Sequence, residues 1–330
     1  MPSRLLWGVI WVVSLFLLPG TAHVAMGQEP SPPAGTSPAS TSDDQGQDVA
    51  PEDEDTTVQA EGPEPGQGGE PVQRRRLLKK LGPQQLTQEQ QEESTRLSAI
   101  AAKMGTDPTA IIGRVQTRYR HNALSGGSQT NSLVGRIDIP YRGDFVLRAD
   151  VPYLWSDPNQ PGATNQNGLS DLFVRAGARL YAVPGYAIFA AMDSIFPTAD
   201  PRQLGTGKYT VGPLLATARV FPDIDSFLFG VLQHELSVGG DPSRRDISLS
   251  ELSFAVNTIW GERWWTQIAA ATQVNWERNA KTSMELEFEG GYRFATGWGI
   301  WVRPGVGLLG QTGAYEWSME TGIRRMFTSF

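Results

Sequence analysis

The stretch that decides the fold is Met284-Glu285-Leu286-Glu287-Phe288-Glu289-Gly290-Gly291-Tyr292. Every second residue in it is apolar or glycine, and three of the residues between them are glutamates. Successive side chains of a β-strand face opposite sides of the sheet. The stretch therefore predicts a strand with one apolar face and one face that carries three carboxylates.

The same alternation recurs along the chain in about twelve runs. Long polar connections, such as 156–168, alternate with short ones, such as 142–143. Outer-membrane barrels have an even number of strands, short turns at one end and longer loops at the other. The predicted runs begin near residues 109, 130, 144, 169, 186, 209, 226, 247, 263, 283, 297 and 314.

Tryptophans near the predicted strand ends agree with a membrane barrel, because Trp and Tyr favour the headgroup level of a bilayer. A closed barrel also pairs every strand edge, as the lipid interior requires. We therefore expect an all-β fold: a closed antiparallel transmembrane β-barrel of about 12 strands, preceded by a disordered tail and a short helix. A secreted β-sandwich is the alternative. The tryptophans in question are Trp155, Trp260, Trp264, Trp265, Trp276, Trp298 and Trp317.

Residues 1–27 are typical of a signal peptide. Arg4 precedes a fourteen-residue apolar run, 5–18, which ends at Pro19-Gly20. A membrane-spanning helix needs about 20 apolar residues, so the run is short for one. We expect export from the cytoplasm and a place in the outer membrane of a Gram-negative bacterium, with the N-terminal tail periplasmic. An uncleaved N-terminal anchor is the alternative.

Residues 28–85 are expected to form a disordered, acidic, Pro/Gly-rich periplasmic linker. Its first part, 28–73, has eleven acidic residues, eight prolines and no Lys or Arg, in a chain of formal net charge −7. Such a segment cannot bury enough apolar surface to offset the entropy of ordering it. A basic patch follows at 74–80. It is interpreted either as a solvated patch that pairs with the acidic tail or as a contact for anionic lipid headgroups.

A short helix is predicted within 86–105, before a barrel that occupies 106–330. Thr87 can cap its N-terminus and Gly105 can end it. Leu97, Ile100 and Ala101 form a thin apolar stripe, which predicts that the helix lies against another part of the molecule.

The predicted inner face of the barrel is charged, with arginines on the early strands and glutamates on the later ones. Bases on one wall and acids on the other would set a field across the lumen and select among solutes. Alternatively, the charges pair across a narrow lumen and fill it. The residues predicted to face the lumen are Arg114, Arg118, Arg136, Arg148, Arg175, Arg179, Glu251, Glu285, Glu287, Glu289, Arg303, Glu316 and Glu320.

The composition argues against several other functions. The chain has no cysteine, which excludes disulfides, thiolate metal sites and a cysteine nucleophile. It has three scattered histidines and no concentrated basic face of the kind that binds nucleic acid. We therefore expect no metal, no cofactor, no catalytic residues and no enzyme. His234, the only histidine within a predicted strand, is interpreted as a girdle or loop-base residue.

Four strings resemble a known barrel family, the one named for a MetA pathway of phenol degradation. The resemblance covers roughly 130–330, with Ser170 and Ala199 at positions where the family has glycine. It implies an outer-membrane barrel that passes small organic or aromatic compounds, and it supplies no catalytic residues. The strings are Val151-Pro152-Tyr153, Gly168-Leu169-Ser170-Asp171, Phe196-Pro197-Thr198-Ala199-Asp200, and Gly205-Thr206-Gly207-Lys208-Tyr209-Thr210-Val211-Gly212-Pro213.

The favoured function is passive passage of small solutes, hydrophobic or aromatic organic compounds among them. A non-conducting structural or interaction barrel is the first alternative, and a lipid-modifying enzyme is the second. The expected partners are outer-membrane lipid, small-molecule solutes and the barrel-assembly machinery.

Overall fold

The computed structural model describes residues 86–310 and 315–327. The predicted signal peptide, acidic linker and basic patch lie outside the described residues. Within these residues, no helix is both long enough and apolar enough to span a membrane.

Helix α1 comprises Gln88–Met104 and has the two predicted ends. The Thr87 hydroxyl accepts a hydrogen bond from the Gln90 backbone N–H at 3.3 Å, and the Gln90 side chain accepts one from the Thr87 N–H at 3.2 Å. This reciprocal arrangement is a capping box, which satisfies two amides that the helix itself cannot pair. Gly105 ends the helix with a left-handed φ of 71°.

Thirteen strands follow the helix in the described residues, and they close into an antiparallel barrel because the first pairs with the last. Strands β4 and β5 both pair with β3 and occupy one position in the wall, so the barrel has twelve positions. The predicted fold class is confirmed. The strands are β1 Gly113–Ala123, β2 Gln129–Tyr141, β3 Phe145–Asp157, β4 Gln166–Leu169, β5 Leu172–Val183, β6 Tyr186–Phe196, β7 Lys208–Phe221, β8 Ser226–Gly240, β9 Ser248–Trp260, β10 Trp264–Asn275, β11 Lys281–Arg293, β12 Trp298–Leu309 and β13 Trp317–Phe327.

Two predicted strands differ from the observed ones. The first was expected to begin near 109, but residues 105–112 run inside the barrel, where Ile111 and Ile112 pack, and β1 begins at Gly113. The run from 169 is broken at Ser170 and Asp171. There the buried Asp171 carboxylate accepts hydrogen bonds from the Thr206 N–H at 2.6 Å and the Thr206 hydroxyl at 2.8 Å. The strand is therefore interrupted at the position where Asp171 binds the 197–207 loop.

The barrel has two distinct ends. At the short-turn end, the connections are 142–144, 184–185, 222–225, 261–263 and 294–297. At the long-loop end they include 124–128, 158–165, 197–207 and 241–247.

The outer wall is apolar between two bands of aromatic side chains. Leu215, Leu232 and Ile268 project from it, each about half exposed. On β9, Trp260 at the short-turn end lies ten positions along the strand from Ser250 at the long-loop end. That length is about 33 Å along the strand, which a tilt of about 40° reduces to about 25 Å, the height of a membrane barrel's apolar band.

One tryptophan departs from the predicted girdles. Trp264 and Trp260 are each 58% exposed on the outer wall, but their neighbour Trp265 is 1% exposed and faces the interior. The reason is local alternation, because Trp264 already occupies the outward position of β10.

Candidate functional site

The barrel interior is divided into a charged wall and an apolar wall. The apolar wall is formed on β6–β8 by Phe189, Leu214, Ala216 and Val231, with Ile111 packed against it. The charged wall covers β11–β13, β1–β3, β5 and β6. Its members are Arg114, Arg118, Arg120, Arg136, Asp138, Arg148, Asp150, Arg175, Asp193, Glu285, Glu287, Glu289, Arg303, Glu320 and Arg324.

Neighbouring strands of the charged wall are joined by close ion pairs. Arg136 contacts Asp150 at 2.6 Å, and Arg148 contacts Asp138 at 2.7 Å. Each of these pairs joins β2 to β3 through directly opposite positions of the ladder. Charge-assisted hydrogen bonds of this length are among the strongest in proteins. Two further pairs are Arg114–Asp138 at 2.9 Å and Arg175–Asp193 at 2.6 Å.

Other ion pairs join strands β11, β12, β13 and β1 within the charged wall. Arg120 on β1 contacts Glu287 on β11 at 2.6 Å, although β12 and β13 lie between those strands in the wall. Arg303 on β12 contacts three glutamates: Glu289, Glu320 at 3.3 Å and Glu287 at 3.7 Å. Removing one arginine would leave buried carboxylates with less compensating charge, and a fully uncompensated buried charge typically costs about 3–5 kcal/mol. The network therefore holds the charged wall in one arrangement.

Two tryptophans and an arginine form a layered cluster at the short-turn end of the interior. The Arg324 guanidinium lies 4.7 Å from the Trp265 ring centroid and 4.8 Å from that of Trp301. The Trp265 N–H donates to Glu289 at 2.6 Å, and the Trp301 N–H donates to Glu320 at 3.3 Å.

Glycines on neighbouring strands make room for these rings. A Cβ on Gly291 would overlap Trp265, and a Cβ on Gly322 would overlap Trp301. The two rings can lie against the wall only because those positions have no side chain.

Helix α1 lies inside the barrel on this cluster. Its buried face, Leu97, Ile100, Ala101 and Met104, packs against a set of inner-wall residues that we name the helix seat. The prediction that the helix lies against another part of the molecule is confirmed, because its apolar stripe packs on the lumen wall at the short-turn end. The helix seat consists of Ala218, Val220, Phe227, Phe229, Ile259, Trp265 and Trp301.

The segment between α1 and β1 continues along the interior. The Asp107 carboxylate accepts hydrogen bonds from the Thr109 N–H at 2.8 Å and the Thr109 hydroxyl at 2.7 Å. Desolvation nevertheless raises the pKa of Asp107, and these hydrogen bonds oppose the shift only in part.

Several buried polar atoms on the inner face have no hydrogen-bond partner among the described residues. They include both amide atoms of Asn257, the Ser253 hydroxyl and one oxygen of Glu285. Buried polar groups are hydrogen-bonded as a rule. These atoms are therefore points at which the interior can bind water or a polar solute.

Most of the residues predicted to face the lumen are buried or half-buried on the charged wall. Glu251 lies apart from them on β9, where it accepts a hydrogen bond from Gln273 at 2.9 Å. Arg179 lies at the short-turn rim and contacts Asp144 at 3.0 Å. The remaining members that the structure brings onto the charged wall are Arg114, Arg118, Arg136, Arg148, Arg175, Glu285, Glu287, Glu289, Arg303 and Glu320.

Glu316 is not one of the residues of the charged wall, and its predicted lumen-facing position stays a prediction. It precedes β13 and its side chain is exposed, whereas the neighbouring Tyr315 is 5% exposed and donates a hydrogen bond to Glu287 at 3.2 Å. The Arg120 guanidinium lies 5.0 Å from the Tyr315 ring. The alternation of the sequence assigns Tyr315 and Trp317 to the same face. In the structure Tyr315 is buried and Trp317 is half exposed, because the alternation is interrupted before Trp317. No signal in the sequence marks that interruption.

Two arrangements are expected for the charges of the inner face: a field between a basic and an acidic wall, or pairing of opposite charges. Asp138 and Asp150 lie among the arginines of β1–β3, and Arg303 lies among the glutamates. The charges therefore meet as pairs rather than facing each other across an open gap.

His234 faces outward near the long-loop end. Its Nδ1 lies 2.8 Å from the Ser250 hydroxyl, to which the Trp276 N–H also donates at 2.9 Å. This arrangement agrees with the interpretation of His234 as a girdle residue. In the described part of the chain, no three His, Cys, Asp or Glu residues are grouped so as to hold a metal ion.

Comparisons with known proteins show the fold. No protein-family model matches the chain, and no curated protein matches it. The COG4313 outer membrane channel from Pseudomonas putida F1 is a structural relative at 13% identity and a TM-score of 0.55, covering 66% of this chain and 96% of that one. The NanC porin is 11% identical, with a TM-score of 0.46, and covers 64% of this chain and 98% of its own.

Proposed function

We propose that this barrel lies in a bacterial outer membrane, with the short-turn end and the N-terminal tail in the periplasm, and passes small solutes. The observation that carries the proposal is the two-sided interior, with ion pairs on one wall and aliphatic and aromatic side chains on the other. Such a lining suits small organic compounds that combine an apolar part with a polar or charged group. Aromatic compounds, as the phenol-degradation family resemblance implies, belong to this class.

Helix α1 is the element that narrows the interior. Its fully buried Leu97 and Ala101 hold it on the helix seat, at the short-turn end of the lumen. We infer that water and ions pass beside the docked helix, and that organic solutes pass when it is displaced. The helix enters from the short-turn end, so displacement needs no opening of the barrel wall.

A non-conducting structural barrel is the second candidate. It is favoured by the Arg120–Glu287 pair, which spans two intervening strands inside the barrel and occupies space that a solute would need. The two candidates differ in whether displacing α1 creates a conducting path.

A reversible disulfide between α1 and the wall tests this. A Cβ on Gly185 would lie 3.7 Å from the Ser94 Cβ, within the span of about 3.5–4.5 Å that a disulfide requires. The chain has no other cysteine, so Ser94→Cys with Gly185→Cys supplies the only thiols. Gly185 has a left-handed φ of 82°, and we expect the cysteine there to cost about 1–2 kcal/mol.

Single-channel current is then measured through the same double variant, oxidised and reduced. We expect the reduced protein to move between a small and a larger conductance, and the oxidised protein to show only the small one. Ser94→Cys alone is the control and should not respond to oxidant. Folded protein that is silent in both states would favour the structural barrel and contradict passage.

A further inference from the structure

One acidic residue of the charged wall has no cationic partner. Glu285 on β11 is 9% exposed, and among the described residues it forms no ion pair. Its Oε1 atom also lacks a hydrogen-bond partner there. A buried carboxylate without a compensating charge is costly, so this position favours a bound cation. The other acids of the charged wall each contact an arginine within 4 Å; they are Asp138, Asp150, Asp193, Glu287, Glu289 and Glu320.

The strand register explains why Glu285 is the exception. Its neighbours in the ladder are Gly307 on β12 and Ala271 on β10, and neither has a side chain that can bond to a carboxylate. Asp150, by contrast, lies directly opposite Arg136. The adjacent strands therefore leave one oxygen of Glu285 without a partner on the inner face of the barrel.

A second buried polar atom lies on the same row of the barrel wall. Ala271 pairs with Glu285 on one side and with Ser253 of β9 on the other. Ser253 is 4% exposed, and its hydroxyl has no partner in the part of the chain that the structure describes. Two inter-strand spacings, about 10 Å, separate the backbones of Ser253 and Glu285. Only the methyl group of Ala271 lies between them on the inner face, so the two polar side chains flank one gap.

Glu251 adds a second carboxylate beside this gap. It lies two residues from Ser253 on the same face of β9 and is 6% exposed. Its carboxylate accepts a hydrogen bond at 2.9 Å from Gln273, which is a neutral donor. An ammonium group has three N–H donors and a positive charge, and it can satisfy carboxylate and hydroxyl oxygens together. Water can supply the hydrogen bonds but not the charge.

The apolar wall begins directly beyond Ser253. The next residues in the row are Val231 on β8 and Ala216 on β7. Both belong to the apolar cluster against which Ile111 packs. A ligand with its ammonium group between Ser253 and Glu285 would therefore place the rest of its structure on apolar side chains. This arrangement favours an organic amine over a metal ion.

We propose that Glu285, Ser253 and Glu251 form a binding site for the ammonium group of small primary amines, with Val231 and Ala216 binding the apolar part of the molecule. A few polar groups beside an apolar lining are the usual composition of a small-molecule site. The inference rests on the proposed passage of small organic solutes, and it names their class.

Calorimetric titration of the full chain in micelles tests the site with three probes of similar shape. They are 2-phenylethylamine, 2-phenylethanol and 3-phenylpropanoate, which are cationic, neutral and anionic. We expect the amine to bind at least about tenfold more tightly than either of the others. Glu285→Gln should lower the amine affinity about tenfold or more, because a hydrogen bond to a charged group is lost, and Ser253→Ala should lower it about threefold.

Two matched variants should keep the amine affinity. Glu277→Gln removes a carboxylate from the exposed long-loop end, and Ser132→Ala removes another buried hydroxyl that has no partner among the described residues, on β2. The site is refuted if the alcohol binds as tightly as the amine, or if Glu285→Gln keeps the amine affinity. If Glu285→Gln does not fold, equal amine affinities of Ser253→Ala and Ser132→Ala refute the site instead.

Single-channel current separates this inference from the proposed passage. Selective amine binding by a folded barrel that does not conduct would support the site and contradict passage. A conducting barrel that does not distinguish the amine from the alcohol would contradict the site and leave passage standing.

Discussion

Truncating Leu97 should release α1 from the helix seat. Leu97 is 0% exposed and packs in the cluster that contains Trp265 and Trp301. Leu-to-Ala changes at such sites cost about 2–5 kcal/mol, with the larger values where the site cannot collapse. The two rings are fixed by hydrogen bonds to Glu289 and Glu320, so little collapse is available. We expect about 3 kcal/mol, which is about a 100-fold shift towards the undocked helix.

A buried thiol on the same helix reports that shift. Ser94 is 0% exposed and its hydroxyl has no hydrogen-bond partner among the described residues, so a cysteine replaces it at little cost. In a chain without other cysteines, Ser94→Cys reacts with a maleimide only when α1 leaves its seat. Adding Leu97→Ala should raise the labelling rate about 100-fold. Thr95→Cys, on the exposed face, should label quickly with or without Leu97→Ala.

The refuting result is specific. If Ser94→Cys labels at the same rate with Leu97 and with Ala at that position, the seat does not hold the helix. Glu92→Ala, a change on the exposed face of α1, should leave the rate unchanged and controls for a general loosening of the helix.

Three further predictions concern the interior. Arg120→Gln should cost about 3 kcal/mol, the lower end of the range for an uncompensated buried charge, because Glu287 loses its 2.6 Å partner and keeps Arg303 at 3.7 Å. Arg120→Met with Glu287→Leu should recover most of that loss. Urea unfolding in micelles measures both variants, and equal losses would contradict the pairing argument. Glu285→Gln should reduce cation selectivity, which is measured as a smaller reversal potential. It should not lower stability, because one oxygen of Glu285 has no partner among the described residues. An unchanged reversal potential would place that carboxylate off the conducting path. The raised pKa of Asp107 means that the folded state binds its proton more tightly than the unfolded state does. Docking of the segment should therefore tighten as the pH falls through that pKa and weaken as the pH rises, and Asp107→Asn should remove this dependence. The measurement is the labelling of Ser94→Cys relative to Thr95→Cys with a pyridyl disulfide, which reacts with thiols in acid.

The wall of the barrel could be predicted from the sequence because alternation is a local property. The 284–292 stretch needs only its own period of two to assign Glu285, Glu287 and Glu289 to one face. The same rule assigns Arg148 and Asp150 to one face of β3. Ser170–Asp171 escaped it, because the break depends on hydrogen bonds to Thr206, which is thirty-five residues away.

What fills the barrel could not be predicted in this way. The stripe of Leu97, Ile100 and Ala101 indicates that α1 packs somewhere, but its partners come from five strands that are distant in sequence. A signal for the helix seat exists in retrospect. Trp265 lies opposite Gly291 on the neighbouring strand, and Trp301 lies opposite Gly322. This pairing of a large ring with a glycine can be recognised in the sequence once the strand register is known.

The ion pairs on β1 and β13 also bear on how the barrel closes. A slip of one residue between these strands would turn apolar side chains inward, but a slip of two would keep every side chain on its proper face. Lipid therefore cannot correct a two-residue error at the seam. In the native register Arg120 lies opposite Glu320, and Gln116 lies opposite Arg324. A two-residue slip in one direction would set Arg118 opposite Arg324, so repulsion between like charges favours the native register of the two strands that close the barrel.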